Sequence, residues 1–294
     1  MHPVLDDLIT LLNLERIEDN IFRGESRDIG SAQVFGGQVL GQALSAAQHT
    51  VDGRVAHSLH AYFLRRGDME APIVYEVDRA RDGGSFSNRR VVAIQHGRPI
   101  LNLAASFQSP EQGVEHQARM PEVPGPGDCR DILETESDQL QKMPEKMRRH
   151  MADKRAFEIR PVLQDSRSGM PQKNVWLRTV DTLPATLALH QNLLAYASDY
   201  ELLSVSTLPH DLPFGKGAVI MASLDHALWF HRPVHIDEWL LYSMDSPNAS
   251  GARGLARGQF FNQGGELIAS TAQEGLVRVV TGAASKRSDP KLQD

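Results

Sequence analysis

An internal repeat constrains the fold of this 294-residue chain more than any other feature of its sequence. Three short segments of the first half recur in the second half, in the same order and at spacings of 166, 167 and 165 residues. The pairs are 60–66 with 226–232, 74–77 with 241–244, and 105–108 with 270–273. Three matches at a nearly constant offset indicate a duplication, so we expect two copies of one folding unit.

Each half has the same order of predicted elements. In the first half, apolar residues recur at helical spacing from Val34 to Ala47, and four strand-like runs follow at 55–63, 73–79, 87–95 and 100–107. The second half repeats this order, with a helix near 184–198 and strand-like runs at 218–230, 238–244, 252–262 and 267–278. Short turns between successive strands favour antiparallel pairing, and one helix for each run of strands is an α+β pattern.

Three glycines lie inside the first helical pattern, at Gly36, Gly37 and Gly41. Glycine destabilises a helix interior, so its presence there favours a helix that lies close against a sheet or lets a ligand approach its backbone. The alternative is a loop that leads into a shorter helix.

Between the halves, the chain becomes rich in proline, glycine and charge. We predict a helix at 131–151, followed by half-buried strands at 157–160 and 175–178. The resulting division is a first unit at 1–113, a connector with a helix at 114–154, a second unit at 155–282 and a polar tail at 283–294.

Composition excludes several classes of protein. Lys and Arg number 31 against 37 Asp and Glu, and a net charge of −6 does not suit a nucleic-acid binder. The single cysteine, Cys129, excludes an internal disulfide framework and a four-thiolate zinc site. The acidic start of the chain does not resemble a signal peptide, and no apolar run approaches the ~18–20 residues of a membrane helix. We therefore expect a cytoplasmic protein without a membrane span.

Motifs for nucleotide binding and for serine hydrolases are not present in the sequence. His226, His231 and His235 are spaced by five and four residues, which separates them along a strand, so no metal site is expected. A polar set remains in the second half, with Asp199 at the end of a helix and Ser223 and Gln273 in apolar strands. A carboxylate, a hydroxyl and an amide can together hold a water molecule, but their spacing alone does not single them out as catalytic.

Several longer segments resemble the acyl-CoA thioesterase II family, whose members are double hotdogs. They lie at 11–15, 34–39, 57–65, 81–86, 196–199, 224–233 and 270–275. The resemblance implies two duplicated antiparallel sheets, each wrapped around a long helix. It also implies hydrolysis of fatty acyl-CoA to free fatty acid and CoA, without a cofactor.

In this family an Asp, a Thr or Ser, and a Gln activate the attacking water, and these roles carry over to Asp199, Ser223 and Gln273. Other members of this family have a threonine at the position of Ser223, and the serine retains the hydroxyl. The first half aligns no acidic residue with Asp199, so we expect one active site per chain and a mainly structural first half.

Two alternative functions stay open at this point. Double hotdogs also include enoyl-CoA hydratases and dehydratases that use an Asp and a His, and Asp225-His226 superficially resembles that pair. A non-catalytic acyl-CoA binding protein would hold the thioester without turnover. Because exposed sheet edges call for pairing or cover, we also expect a homo-oligomer.

Overall fold

The computed structural model of this chain describes residues 1–30, 33–134, 145, 155–163, 170–210, 212 and 219–280. Its first half contains α1 (Pro3–Leu12), β1 (Glu15–Glu18), β2 (Ile21–Gly24), α2 (Gly36–Gln48), β3 (Val55–Phe63), β4 (Ile73–Asp82), β5 (Phe86–Gln95) and β6 (Arg98–Gln108). Its second half contains β7 (Phe157–Pro161), β8 (Gln172–Thr179), α3 (Leu187–Ala197), β9 (Val219–Ser223), β10 (Asp225–Phe230), β11 (Leu240–Ser250), β12 (Arg253–Asn262) and β13 (Leu267–Val279).

The strands form one antiparallel sheet whose order reflects the duplication. From one edge to the other the order is β1-β2-β4-β5-β6-β3-β10-β13-β12-β11-β8-β7, and β9 also pairs with β13. The two halves therefore mirror each other across the contact between β3 and β10, where Leu59 lies opposite Leu228. This confirms the α+β double hotdog that the sequence predicts.

The two long helices pack against each other on one face of this sheet. Gly37 and Gly41 permit the contact, because a Cβ on Gly37 would overlap the carbonyl oxygen of Tyr196, and one on Gly41 would lie 3.0 Å from the carbonyl oxygen of Asn192. The helix prediction is confirmed, with α2 beginning at Gly36. The close approach that the glycines allow is to α3 rather than to the sheet.

One hydrophobic core runs through both halves and includes Leu5 and Leu8 of α1, Leu40 of α2 and Leu194 of α3. A second, smaller cluster contains Trp176 and Leu241 and is covered by Met120, Val123 and Cys129. The segment before β7 therefore lies against the outer face of the second half, where the Trp176 indole N–H donates to the carbonyl oxygen of Pro124 at 2.8 Å.

Most of the helix predicted at 131–151 lies outside the described residues, as does the polar tail. Within that range, residues 132–134 form a turn and Glu145 is helical. A short 3-10 helix precedes the range at Pro126–Asp128. No helix among the described ranges combines the length and the apolar character needed to cross a membrane.

The prediction of one strand at 218–230 is wrong in one respect, because the strand is interrupted at Leu224. Ser223 lies opposite Gly275 of β13, whereas Ala227 lies opposite Ala272, so the register shifts by one residue between them. Leu224 donates its N–H to the carbonyl oxygen of Glu274 and accepts the N–H of Phe63. Side chains alternate along a regular strand, so residues 223 and 226 would otherwise face opposite sides. The interruption turns both toward the helices.

The outer edge formed by β1 is short and charged. It has four residues, Glu15, Arg16, Ile17 and Glu18, and all four are exposed. Short, charged edge strands resist pairing with another chain. This edge therefore gives no support to the homo-oligomer predicted from the sequence, which stays a prediction.

Candidate active site

The three polar residues selected from the sequence come together where α3 ends beside β9 and β13. The Gln273 side-chain amide nitrogen donates to Asp199 Oδ1 at 2.7 Å and to Ser223 Oγ at 3.1 Å. Gln273 is buried, while Asp199 and Ser223 keep partial access to solvent. The buried amide therefore fixes the relative positions of the carboxylate and the hydroxyl.

The first half contributes directly to this cluster. The backbone N–H of Gly37, the second residue of α2, donates to Asp199 Oδ2 at 2.9 Å. The N-terminus of a helix carries partial positive charge and free N–H groups, so it stabilises a carboxylate placed there. A Cβ on Gly36 would lie 2.7 Å from the same oxygen and 3.1 Å from the ring of Phe63, so this position suits glycine.

The Asp199 carboxyl has a raised pKa. Burial beside apolar groups raises its pKa to about 6, while the hydrogen bonds from Gln273 and Gly37 oppose that change. A carboxyl with a pKa near 6 is mostly ionised at neutral pH and is a stronger base than an exposed aspartate, which suits a general base.

Aromatic side chains pack together near the end of α3, next to Asp199 in the sequence. Phe35 stacks on Tyr200 with ring centroids 5.1 Å apart and meets Tyr196 edge-on at 5.0 Å. Burial raises the pKa of Tyr196 to about 12 and that of Tyr200 well above its usual range, so both phenols stay neutral.

A buried histidine completes the cluster, and sequence reasoning did not assign it to this site. His226 Nδ1 lies 3.2 Å from the Gln273 amide nitrogen, and its Nε2 lies 2.9 Å from Ser198 Oγ. Burial lowers the pKa of His226 to about 3, so the ring is neutral. Segments that carried the family resemblance include His226, Ser198 and Gly37, but nothing in their local pattern indicates a shared site.

The pair Asp225-His226 does not form an acid-base dyad. Asp225 Oδ1 accepts the backbone N–H of Glu274 at 2.6 Å, whereas the His226 ring faces Gln273 and Ser198. Adjacent residues of a strand point to opposite faces of the sheet, so the two side chains cannot act on one substrate.

The corresponding place in the first half is built differently. Asp199 stands two residues beyond the end of α3, and Thr50 stands two residues beyond the end of α2. Thr50 Oγ1 accepts a hydrogen bond from Nε of Arg89 at 2.8 Å, and Arg89 is only 2% exposed. A structural arginine therefore lies beside the position that a carboxylate holds in the second half.

Within the described part of the chain, the group best placed for a metal ion is His190, His235 and Asp237. It includes His235 but neither His226 nor His231. Both ring nitrogens of His190 are already bonded: Nε2 donates to the carbonyl oxygen of Pro184 at 3.1 Å, and Nδ1 accepts the N–H of Ile236 at 3.2 Å. Since neither nitrogen offers a free lone pair, the group is structural in this arrangement.

The fold and the cluster define the class of protein as a double hotdog with one carboxylate, one hydroxyl and one amide at the junction of its halves. The family described as acyl-CoA thioesterase matches residues 147–276, and its N-terminal domain matches residues 23–108. The chain belongs to the acyl-CoA thioesterase family and, as a member of it, is a thioester hydrolase.

Individual relatives agree with this assignment. The chain is 45% identical over 283 residues to acyl-CoA thioesterase 2 from Haemophilus influenzae, covering 95% of this chain and 99% of that protein. It is 41% identical in sequence to acyl-CoA thioesterase II TesB2 from Mycobacterium marinum. The crystal structure of that protein matches with a TM-score of 0.80 over 94% of this chain and 99% of that one. A hot dog protein of unknown function from Alicyclobacillus acidocaldarius, 18% identical, has a TM-score of 0.73 over 94% of this chain and 99% of that one, which supports the fold alone.

Proposed function

We propose that this chain hydrolyses fatty acyl-CoA to a free fatty acid and CoA, using a water molecule activated by Asp199 and held by Ser223 and Gln273. The observation that carries the proposal is the single amide nitrogen of Gln273, which bonds to both the Asp199 carboxylate and the Ser223 hydroxyl. The relatives at 45% and 41% identity are themselves named acyl-CoA thioesterases, which supports the substrate class.

The reaction begins at the ionised carboxylate. Asp199 accepts a proton from water while the water oxygen attacks the carbonyl carbon of the thioester, and a tetrahedral oxyanion forms. Collapse of this intermediate breaks the C–S bond and releases the CoA thiolate, which takes up the proton from Asp199 and restores the ionised carboxylate. General base catalysis of this kind contributes about 10²–10⁴-fold to the rate.

Ser223 and Gln273 act on the position of the water. A hydroxyl can accept from one group and donate to another, so Ser223 can hold the water while it accepts from Gln273. Holding the water in line with the carbonyl carbon turns an encounter into an oriented attack.

One active site per chain follows from the difference between the halves. Thr50 in the place of Asp199 cannot act as a base, and Arg89 beside it is bonded to Thr50 and to Asp82. The first half thus supplies the Gly37 N–H and a large part of the core, while the reactive groups come from the second half.

The two alternative functions are weaker on these observations. A hydratase would need Asp225 and His226 to face one substrate, and the alternation of buried residues along β10 turns their side chains to opposite faces of the sheet. A non-catalytic binding protein would have no need for a carboxylate with a raised pKa beside an ordered hydroxyl and amide.

The test is the rate of free thiol release from saturated acyl-CoA esters of increasing chain length. We expect Asp199→Asn to lower kcat at least about 100-fold without unfolding the protein. Gly84→Ala, in a loop with open space around it, serves as a control that keeps full activity. A folded Asp199→Asn protein with near-normal thiol release would refute the proposed base, and turnover of enoyl-CoA alone would favour a hydratase.

A further inference from the structure

His226 is buried within the site, although the proposed reaction assigns no step to it. It is 1% exposed and lies on β10, between Ser198 and Gln273. Ser198 is itself fully buried at the end of α3. A buried imidazole that bonds through both nitrogens has a fixed tautomer, and that tautomer follows from the partners.

The hydroxyl of Ser198 determines which ring nitrogen carries the proton. Ser198 Oγ donates its single hydrogen to the carbonyl oxygen of Ala195 at 2.9 Å. Its contact with His226 Nε2 at 2.9 Å must therefore be one in which the ring donates. Since the ring is neutral, Nδ1 then carries a lone pair and accepts a hydrogen bond.

That lone pair selects the orientation of the Gln273 amide. With the nitrogen of the amide toward Nδ1, one hydrogen of the NH₂ group is donated to Asp199 Oδ1 at 2.7 Å. The other is shared between Nδ1 at 3.2 Å and Ser223 Oγ at 3.1 Å. The amide oxygen of Gln273 points the other way and is buried without a hydrogen-bond partner. The oxygen does not hold the amide in place, so the orientation depends on the groups around the nitrogen.

The reversed amide would have the opposite effect on Asp199. It would place an amide oxygen against the lone pair of Nδ1 and against the carboxylate, and it would favour a protonated Asp199. The orientation with nitrogen toward Asp199 favours the ionised carboxylate, which is the form that acts as a base.

We propose that His226, oriented by Ser198, is a positioning residue that keeps the Gln273 amide nitrogen directed at Asp199 and so keeps the base ionised. This inference rests on the proposed function, because it assigns to His226 an effect on the base named there. His226 touches neither the water nor the thioester in this scheme.

Other titratable groups face Asp199 from the neighbouring elements, and they stay neutral near pH 7. They are Tyr196 and Tyr200 at the end of α3 and Tyr242 on β11, all with a pKa raised by burial. The α2 residues Gly36 and Gly37 carry no titratable side chain, and neither does β9. A change in the acidic limb of the pH profile can therefore be assigned to a change in the orientation of the Gln273 amide.

The experiment compares His226→Leu with His226→Asn. Leucine removes the acceptor, so we expect kcat to fall about 10–100-fold, KM to stay within about threefold, and the acidic limb of kcat/KM to move to higher pH. Asparagine can place its amide oxygen where Nδ1 lies, so we expect it to restore most of kcat and the wild-type limb. Ser198→Ala removes the group that fixes the tautomer of the His226 ring, so it should also move the acidic limb of kcat/KM to higher pH. This variant gives a second measurement if His226→Leu does not fold.

His190→Leu is the matched control, because His190 is also buried and bonded through both nitrogens, but to Pro184 and Ile236. We expect it to lower the melting temperature and leave the pH limb unchanged. If folded His226→Leu, or Ser198→Ala, has the wild-type kcat and the wild-type acidic limb of kcat/KM, the positioning role is overturned. If Asp199→Asn is inactive in that case, only this role fails; if Asp199→Asn is active, the proposed base fails as well.

Discussion

The backbone N–H of Gly37 donates to the carboxylate of Asp199 across 162 residues of sequence. This bond joins the first turn of one central helix to a residue two positions beyond the end of the other. The proposed base is thus held by both halves of the duplication, and its properties depend on α2 as much as on α3.

The rate should depend on pH through Asp199. Burial raises its pKa from 3.8 to about 6. Only the ionised carboxylate can accept a proton, so we expect kcat/KM to rise about tenfold per pH unit below about 6 and to level off above it. Initial rates between pH 4.5 and 8.5 measure this, and a profile flat down to pH 4.5 would contradict it.

The same titration has an opposite effect on stability. The folded chain binds the Asp199 proton more tightly than the unfolded chain, so the contribution of this group to the free energy of unfolding decreases as pH rises from about 4 to about 6. Asp199→Asn should remove that decrease, which urea denaturation at several pH values can detect.

Gly36→Ala should lower activity more than stability. The new Cβ would lie 2.7 Å from Asp199 Oδ2, at the tip of a short side chain that can move aside. A displaced carboxylate costs about 10–100-fold in kcat. Gly37→Ala would instead meet the backbone oxygen of Tyr196, which cannot move without α3, so we expect a folding defect there. Melting curves and kcat for the two variants would separate these effects; equal melting temperatures would argue against the assignment.

Ser223→Thr should retain most activity if the hydroxyl only orients the water, since threonine keeps that group. Ser223→Ala should lower kcat about tenfold, because the water loses one of its partners. Mass spectrometry during turnover is the decisive measurement. An acyl group covalently attached to Ser223 would show that the hydroxyl is a nucleophile instead.

Arg89→Met should destabilise the protein and leave catalysis intact. Arg89 is buried and bonds to Thr50 and Asp82 in the first half. Its removal leaves Thr50 Oγ1 without this donor, while Asp82 is 53% exposed and stays hydrated, so we expect a loss of about 1–3 kcal/mol in the free energy of unfolding. The neighbouring Arg90 is exposed, and Arg90→Met is the control. A fall in kcat for folded Arg89→Met would show that the first half contributes more to the reaction than the Gly37 N–H.

Sequence periodicity was sufficient for most of the fold. The strand predicted at 55–63 is β3 at Val55–Phe63, and the helix predicted at 184–198 is α3 at Leu187–Ala197. The interruption at Leu224 was missed because its cause is non-local: the two backbone groups of that residue bond to Glu274 and Phe63. The short strands β1 and β2 were also missed. The unit boundaries at 1–113 and 155–282 stay a prediction.

Only part of the candidate site could be predicted from the sequence. Asp199, Ser223 and Gln273 are separated by tens of residues, and the family resemblance, rather than their spacing, selected them. Gly37, Ser198 and His226 were not assigned to the site, because their contribution lies in a backbone N–H, a hydroxyl and a ring tautomer. Such groups acquire a role only through the partners that the fold brings to them.

The contact between β3 and β10 has a consequence for how such a chain can diverge. In an assembly of two identical subunits, every substitution occurs at both ends of the molecule, so a carboxylate could not be kept at one helix end and lost at the other. Fusion of the two copies into a single polypeptide removes that coupling. In a single chain Thr50 and Asp199 can change independently, so one end of the molecule can serve stability while the other carries the proposed base.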